Sequence, residues 1–292
     1  MRKTIAAVVA VLALCAPALP AAAATGGKPL PGVRFTGNAS LIHFSPVRLA
    51  ATHLPHPAHA RRLPSGQTPA ISSNWSGYAD TACPTCALRF VSTRFTVPSI
   101  NCTVLTTSGD LYAAFWDGLD GWRDSTVEQT GVDATCLGTT PYYFAWYETY
   151  PLDPVAFSIT GLGPGDAVSV SVYFNATRDQ YQLTFDDITQ GAGFVTSQPC
   201  PSGSTCRNSS AEVIAEAPYS GGILPLADFG NVFYSGATVT SRNGTHGNLG
   251  DGYLWSPSEI DMANGNKVLA EPGPLSEMGN TSAFPISWVA GT

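Results

Sequence analysis

Only 12% of the 292 residues in this chain are charged, so the side chains able to do acid–base chemistry are few. Two stretches concentrate them: Thr126-Val127-Glu128-Gln129-Thr130-Gly131-Val132-Asp133 and Ala211-Glu212-Val213-Ile214-Ala215-Glu216. Successive side chains on an extended strand point to opposite faces. Gln129, Gly131 and Asp133 therefore share one face and Glu128, Thr130 and Val132 the other, while Glu212, Ile214 and Glu216 align with one another. Hydrolysing a peptide bond without a metal or a covalent intermediate requires a base for water and a donor for the oxyanion, which a carboxylate and an amide can supply. The carboxylate takes a proton from water and returns it to the leaving nitrogen, and the amide N–H stabilises the oxyanion. An unperturbed Glu titrates at about pH 4.3 and a Gln amide stays a neutral donor at every pH. Such a pair suits acid, where a His base would be fully protonated.

Other chemistries fit less well. The Asp-Thr-Gly and Asp-Ser-Gly signatures of aspartic proteases are missing, and His246 lies in a Gly/Asn-rich stretch that reads as a loop tip without zinc or triad partners. A glycoside hydrolase needs paired carboxylates; Glu148 and Glu216 are better partners for Glu212 than Glu128, which faces the other way. A non-catalytic carbohydrate-binding sandwich would use Trp122 and Trp146 as a stacking platform. Taken singly, Trp116 and Trp146 also read as core, and Asp120 and Asp133 as holders of turns. Gln129 separates these readings, because a peptidase of this kind needs it and a lectin or glucanase does not.

The elements that must position these residues read as strands. Ala167 to Phe174, Tyr181 to Phe185 and Asn231 to Tyr234 alternate and are rich in β-branched and aromatic residues, and Pro164-Gly165, Gly221-Gly222 and Asn243-Gly244 punctuate them. No stretch carries three turns of helical period. An all-β, antiparallel β-sandwich is predicted for residues 71–292 as one domain.

The N-terminal part differs in kind. Arg2 and Lys3 precede an apolar run from Ile5 to Leu19, and Ala21 to Ala24 supply small residues, so residues 1–24 read as a signal peptide for secretion. Residues 25–70 hold Lys28, Arg34, Arg48, Arg61 and Arg62 with no acid, whereas all 21 acidic residues follow Ile71 against seven cations. This segment reads as a basic pro-segment or linker, held to an acidic domain by charge and loosening as carboxylates protonate at about pH 4. Arg61-Arg62 and the loop before Ile71 are the plausible cuts. The acidity of the domain argues against nucleic-acid binding, and no later run is long and apolar enough to cross a membrane. Without Cys15 six cysteines remain, an even number suited to an oxidising compartment. Cys200 and Cys206 are the pair to expect; Cys83-Pro-Thr-Cys86 reads as structural disulfide material rather than a redox or metal motif.

Five motifs in order resemble the eqolisin glutamic peptidases: Trp116-Asp117-Gly118-Leu119-Asp120-Gly121, Gln129-Thr130-Gly131-Val132-Asp133, Ala145-Trp146-Tyr147-Glu148 with Tyr150-Pro151, Ala211-Glu212, and Ala227-Asp228-Phe229-Gly230. Asn74-Trp75-Ser76-Gly77-Tyr78 resembles that family's first strand. The resemblance implies two curved antiparallel sheets, similar to the legume-lectin and glucanase (concanavalin-like) sandwich, with the dyad on the concave face. It implies Glu212 as general base and Gln129 as oxyanion-stabilising residue, with Trp116, Asp120, Asp133, Trp146 and Glu148 binding or supporting the substrate. Polypeptides would be the substrates of a monomer that calls for neither metal nor organic cofactor. Two departures stand out: the segment between Gly121 and Gln129 is short and lacks a Cys, and Val213 follows Glu212 where the family pattern has Trp. They bear on the disulfides and on the pocket wall.

Overall fold

The computed structural model of the protein describes residues 32–44, 59–60, 69–81, 87–103 and 109–291. The expected signal peptide, much of the basic segment, and Cys83 and Cys86 lie outside these residues.

Two layers of strands make up the fold. The front sheet runs in the order β2 (Ile42–Phe44), β10 (Val155–Ile159), β9 (Thr140–Tyr150), β8 (Val127–Leu137), β7 (Leu111–Leu119), β14 (Ser210–Glu216), β5 (Trp75–Thr81) and β17 (Ser256–Asn264). Beyond β17 come β4 (Ala70–Ser72), paired in parallel, and β3 (His59–Ala60). The back sheet runs β1 (Val33–Gly37), β13 (Ala192–Gln198), β12 (Gln180–Asp187), β11 (Ala167–Asn175), β6 (Leu88–Thr96), β15 (Asn231–Ser241) and β20 (Thr281–Trp288). The short β16 (His246–Asn248) joins β15, and β18 (Lys267–Pro272) and β19 (Ser276–Met278) join β20. Because β18 also pairs with β17, the two layers are continuous on that side and the sandwich is nearly a barrel. The expected antiparallel sandwich is thus the fold; the His246 stretch forms a short strand rather than a loop tip.

Alternation builds the core. In β11, Val168, Val170, Val172 and Phe174 are buried while the residues between them are not, and they meet Leu183 and Phe185 of β12 and Phe95 of β6 in one cluster between the layers. Phe115, Val132, Ala145 and Val213 reach the same cluster from the front sheet. The central front strands differ from this half-buried pattern, since every residue of β14 is buried. Their other face carries a second cluster of Trp75, Ala79, Ala114, Trp116, Trp122, Val127, Trp146, Ile214 and Ile260. Two faces buried on one strand require two apolar patterns in alternation, and Trp116 with Phe115, or Ile214 with Val213, supply them.

Among the described residues two disulfides tie loops to this frame, Cys102–Cys136 and Cys200–Cys206. The second is the expected pair.

Candidate active site

Backbone register brings the candidate residues into rows across the front sheet. Gly118 of β7 stands opposite Gln129 of β8 on one side and Glu212 of β14 on the other, and Glu148 of β9 extends the row beyond Gln129. Gln129 and Glu212 thus flank a strand that has no side chain at that level, with their backbones about 10 Å apart by strand spacing. A Cβ on Gly118 would lie 3.1 Å from both the Gln129 Cβ and the Trp116 ring. The next row is Trp146, Gly131, Trp116, Ile214 and Gly77. A Cβ at Gly131 would meet the Phe115 carbonyl oxygen at 2.2 Å, so only glycine lets the β7 and β8 backbones fit there beneath two tryptophans. Asp133 and Glu216 stand in the third row, opposite Ala114 from either side.

Hydrogen bonds fix these side chains. Gln129 Nε2 donates to Glu148 Oε2 at 2.9 Å, which sets the plane of the amide. Trp116 Nε1 donates to Glu216 Oε2 at 2.8 Å and Asn74 Nδ2 to Glu216 Oε1 at 3.0 Å. Trp75 packs edge-on against Trp116 with ring centroids 4.9 Å apart. Gln129, Glu148, Glu212, Trp116 and Trp146 are all fully buried. Burial pushes the Glu212 carboxyl well above the ordinary range, and Asp124, Asp120 and Asp80 act in the same direction against the Ser210 hydroxyl. A carboxyl in that setting holds its proton into less acidic solution than a solvated Glu does.

Asp120 plays a different part from the rest. It follows the last residue of β7 with a positive φ of 66°, a conformation Asp tolerates better than most residues, and accepts the N–H groups of Asn208 at 2.7 Å and Ser209 at 2.6 Å. Neighbouring Asp124 accepts from the Gly121 N–H at 2.7 Å and the Ser209 hydroxyl at 2.5 Å. Together they lash the β7–β8 turn to the entry of β14, which carries Glu212. Burial first and Asp124 second raise the Asp120 carboxyl to about 7. Asp120 therefore supports the site from the end of the strand, as a holder of the turn.

The period-two assignment of faces agrees with the packing: Val132 joins the core between the layers, and Val127 and Ile214 join the cluster on the outer face of the front sheet. Val213, the departure from the family pattern, packs in the core between the sheets. It therefore affects interlayer packing and not the pocket wall. Sequence reasoning missed the parts played by Gly118 and Gly131, although an isolated glycine inside a strand pattern signals close approach. It named Glu216 only as a neighbour of Glu212 and Asn74 only within a strand motif, and did not foresee that they pair with each other, a contact between residues 142 apart, or that Glu216 anchors the Trp116 indole. Among the described residues no group of three or more His, Cys, Asp or Glu side chains is arranged to hold a metal ion.

The profile of the Peptidase A4 family matches residues 73–272. Aspergillopepsin-2 from Aspergillus niger is 27% identical over 193 residues, which are 60% of this chain and 67% of that protein. Scytalidopepsin B from Scytalidium lignicola is 34% identical over 151 residues, half of this chain and 52% of that protein. Among solved structures, scytalido-glutamic peptidase with a transition state analog inhibitor superimposes with a TM-score of 0.60 at 26% identity, covering 74% of this chain and 98% of the other. The aspergilloglutamic peptidase of Aspergillus niger gives 0.51 at 26% identity, covering 61% and 99%.

Proposed function

Because the chain belongs to the Peptidase A4 family of glutamic peptidases, we propose that it is an acid-active endopeptidase whose reaction is carried by Glu212 and Gln129. The observation that supports this reading is their common register on either side of Gly118. An extended polypeptide admitted to that gap, where both side chains are fully buried in the intact chain, presents its scissile carbonyl between an amide and a carboxyl. The small ionised fraction of Glu212 that its raised pKa leaves in acid takes a proton from water, which attacks the carbonyl carbon; the proton then goes to the leaving nitrogen as the C–N bond breaks. Gln129, its amide plane set by Glu148, donates to the oxyanion that forms in between. Trp116 and Trp146 line the outer face of the front sheet beside the pair, and Asp133 and Glu148 flank it. Asp120 holds the turn on which the Glu212 strand depends.

Export belongs to the same proposal, supported by two disulfides among the described residues, which persist in oxidising compartments. The chain would be made with residues 1–24 as signal peptide and residues 25–70 as a basic leader cut near Arg61-Arg62, leaving residues 71–292 as the catalytic domain. It would act as a monomer on polypeptides.

The experiment is hydrolysis of a denatured protein at pH 3–5 by the processed wild type, Gln129→Ala and Glu212→Gln, with EDTA and pepstatin as controls. Activity that survives both inhibitors and disappears in both variants is expected. Full activity in either variant would overturn the assignment of the pair, and cleavage of a glycan in place of protein would overturn the reaction class.

A further inference from the structure

The sandwich would have two open borders on the side away from β18, one at β10 in the front sheet and one at β13 in the back sheet. Both are occupied by a single short piece of chain. Val33–Gly37 pairs antiparallel with β13, from Val33 opposite Thr196 to Gly37 opposite Ala192. Ile42–Phe44 pairs with β10, with Phe44 opposite Phe157 and Ile42 opposite Ile159. Between them one 3-10 turn, Ala39–Leu41, crosses from layer to layer. The Asn38 N–H donates to the Gly191 carbonyl and the Thr160 N–H to the Leu41 carbonyl, both at 2.8 Å. At the hinge, Gly37 has φ 62° and approaches so closely that a Cβ there would sit 2.1 Å from the Gly191 oxygen.

This clip does more than pair. Phe35 and Phe44 pack on Phe157 with centroids 5.6 and 5.4 Å away, and Ile42 is buried. The inward residues Val33, Phe35, Leu41 and Phe44 extend the main core, while Arg34 and His43 are exposed. Phe157 and Phe194 behind it have no exposure. Without the clip, two sheet edges would present unpaired backbone groups, which is the condition for pairing with another chain, and the aromatic end of the core would meet water. Strand β10 also backs β9, where Ala156 stands opposite Trp146.

The clip itself lies in the leader, upstream of residue 73 where the family match begins. We propose that residues 33–44 are not discarded with the leader. The edges of β10 and β13 form a docking site for this extended, aromatic segment of the chain itself, and the segment stays bound after the connection to residue 71 is cut. The inference rests on the proposed cut near Arg61-Arg62 but not on the catalytic assignment, and its test reads association and melting rather than activity.

The full chain is made as Glu212→Gln with the recognition site of a sequence-specific protease inserted between Leu49 and Ala50, cut, and passed over gel filtration with intact-mass analysis. The N-terminal fragment is expected to co-elute with the remainder at one copy each and to separate only in denaturant. A second variant lacks residues 33–44. It should melt about 10 °C lower or dimerise through its open edges, and a synthetic peptide of residues 32–44 should restore its melting temperature, whereas the same peptide with Phe35→Ala and Phe44→Ala should not. If the deletion variant does not fold, the cut full chain still decides. A fragment that elutes alone, leaving a monomer with unchanged melting temperature, would overturn the proposal.

Discussion

On the outer side of β7, β8 and β14, away from the back sheet, stand Gln129, Glu212 and Glu216; on the opposite side of the same strands, facing the back sheet, stand Asp117 and Glu128. Both sets are fully buried. Burial also pushes Glu212, Asp117 and Glu128 well above the ordinary carboxylate range as the first cause in each case. A displaced pKa therefore does not distinguish the two faces. The neighbours do. Glu212 looks across a side-chain-free glycine toward a fixed amide, whereas Asp117 sits near Tyr234 with the Thr93 backbone N–H opposing its shift. Glu128 lies 3.1 Å from the sulfur of Cys206, which is disulfide-bonded and has no hydrogen to give. The proton in that contact belongs to Glu128, consistent with a carboxyl kept neutral beside Asp120 and Asp124.

The widest separation between the faces should come from neutralising one acid on each. Glu212→Gln is expected to lower kcat by about 10²–10⁴-fold, the usual worth of a positioned acid–base group. Asp117→Asn keeps the shape and should leave kcat within about threefold, since Asp117 stands opposite Val213 on the face that packs between the sheets and away from the pair. Steady-state rates on one peptide substrate compare the two directly. Equal losses would mean that the core acids act on the reaction and that register is not what selects the site.

A smaller effect should follow from filling the gap itself. Gly118→Ala places a methyl group 3.1 Å from Gln129 Cβ and from the Trp116 ring, a distance those neighbours relieve by moving a few tenths of an ångström. Displacement of the dyad at that scale is expected to reduce kcat by about tenfold while the fold survives. Gly131→Ala meets backbone at 2.2 Å and should instead destabilise the protein by about 1–3 kcal/mol, read as a lowered melting temperature. Unchanged kcat in Gly118→Ala would show that the space between Gln129 and Glu212 is wider than the reaction uses.

The contrast between faces was largely legible in the sequence, because period two sorts Gln129 from Glu128 and Glu212 from Val213 before any contact is known. The all-β sandwich and the Cys200–Cys206 bridge were legible for similar local reasons. What was not legible depends on pairing between distant strands. Gly118 acquires meaning only when β8 and β14 are set on either side of it, and Glu216 becomes the anchor of Trp116 only through β7–β14 register. The clip at residues 33–44 hid in a stretch whose composition is that of a linker. Its inward residues Val33, Phe35, Ile42 and Phe44 are too few for a period to stand out, and the edges they cover lie more than a hundred residues downstream.

The acids other than Glu212 that burial raises should make their presence felt chiefly in stability. Asp80, on β5, accepts the Gly250 N–H on both carboxyl oxygens, at 3.1 and 2.9 Å, yet burial raises it to about 8; Asp120 is raised to about 7 and Asp261 to about 6. With Asp117 and Glu128 these are groups whose folded-state values exceed the unfolded values of about 4. The folded chain then binds more protons than the unfolded one, so stability falls as pH rises between the two values. Their contribution is fully present below about pH 4 and is lost progressively as pH climbs through 6, 7 and 8. The melting temperature should be highest in acid and lower by about 10 °C at pH 8. Asp117→Asn removes one of these titrations: it should leave melting at pH 4 within a degree or two and raise it by about 3 °C at pH 8. Calorimetry across this range checks both. A melting temperature that instead rises from pH 4 to pH 8 would mean that these carboxyls are ionised in the folded protein.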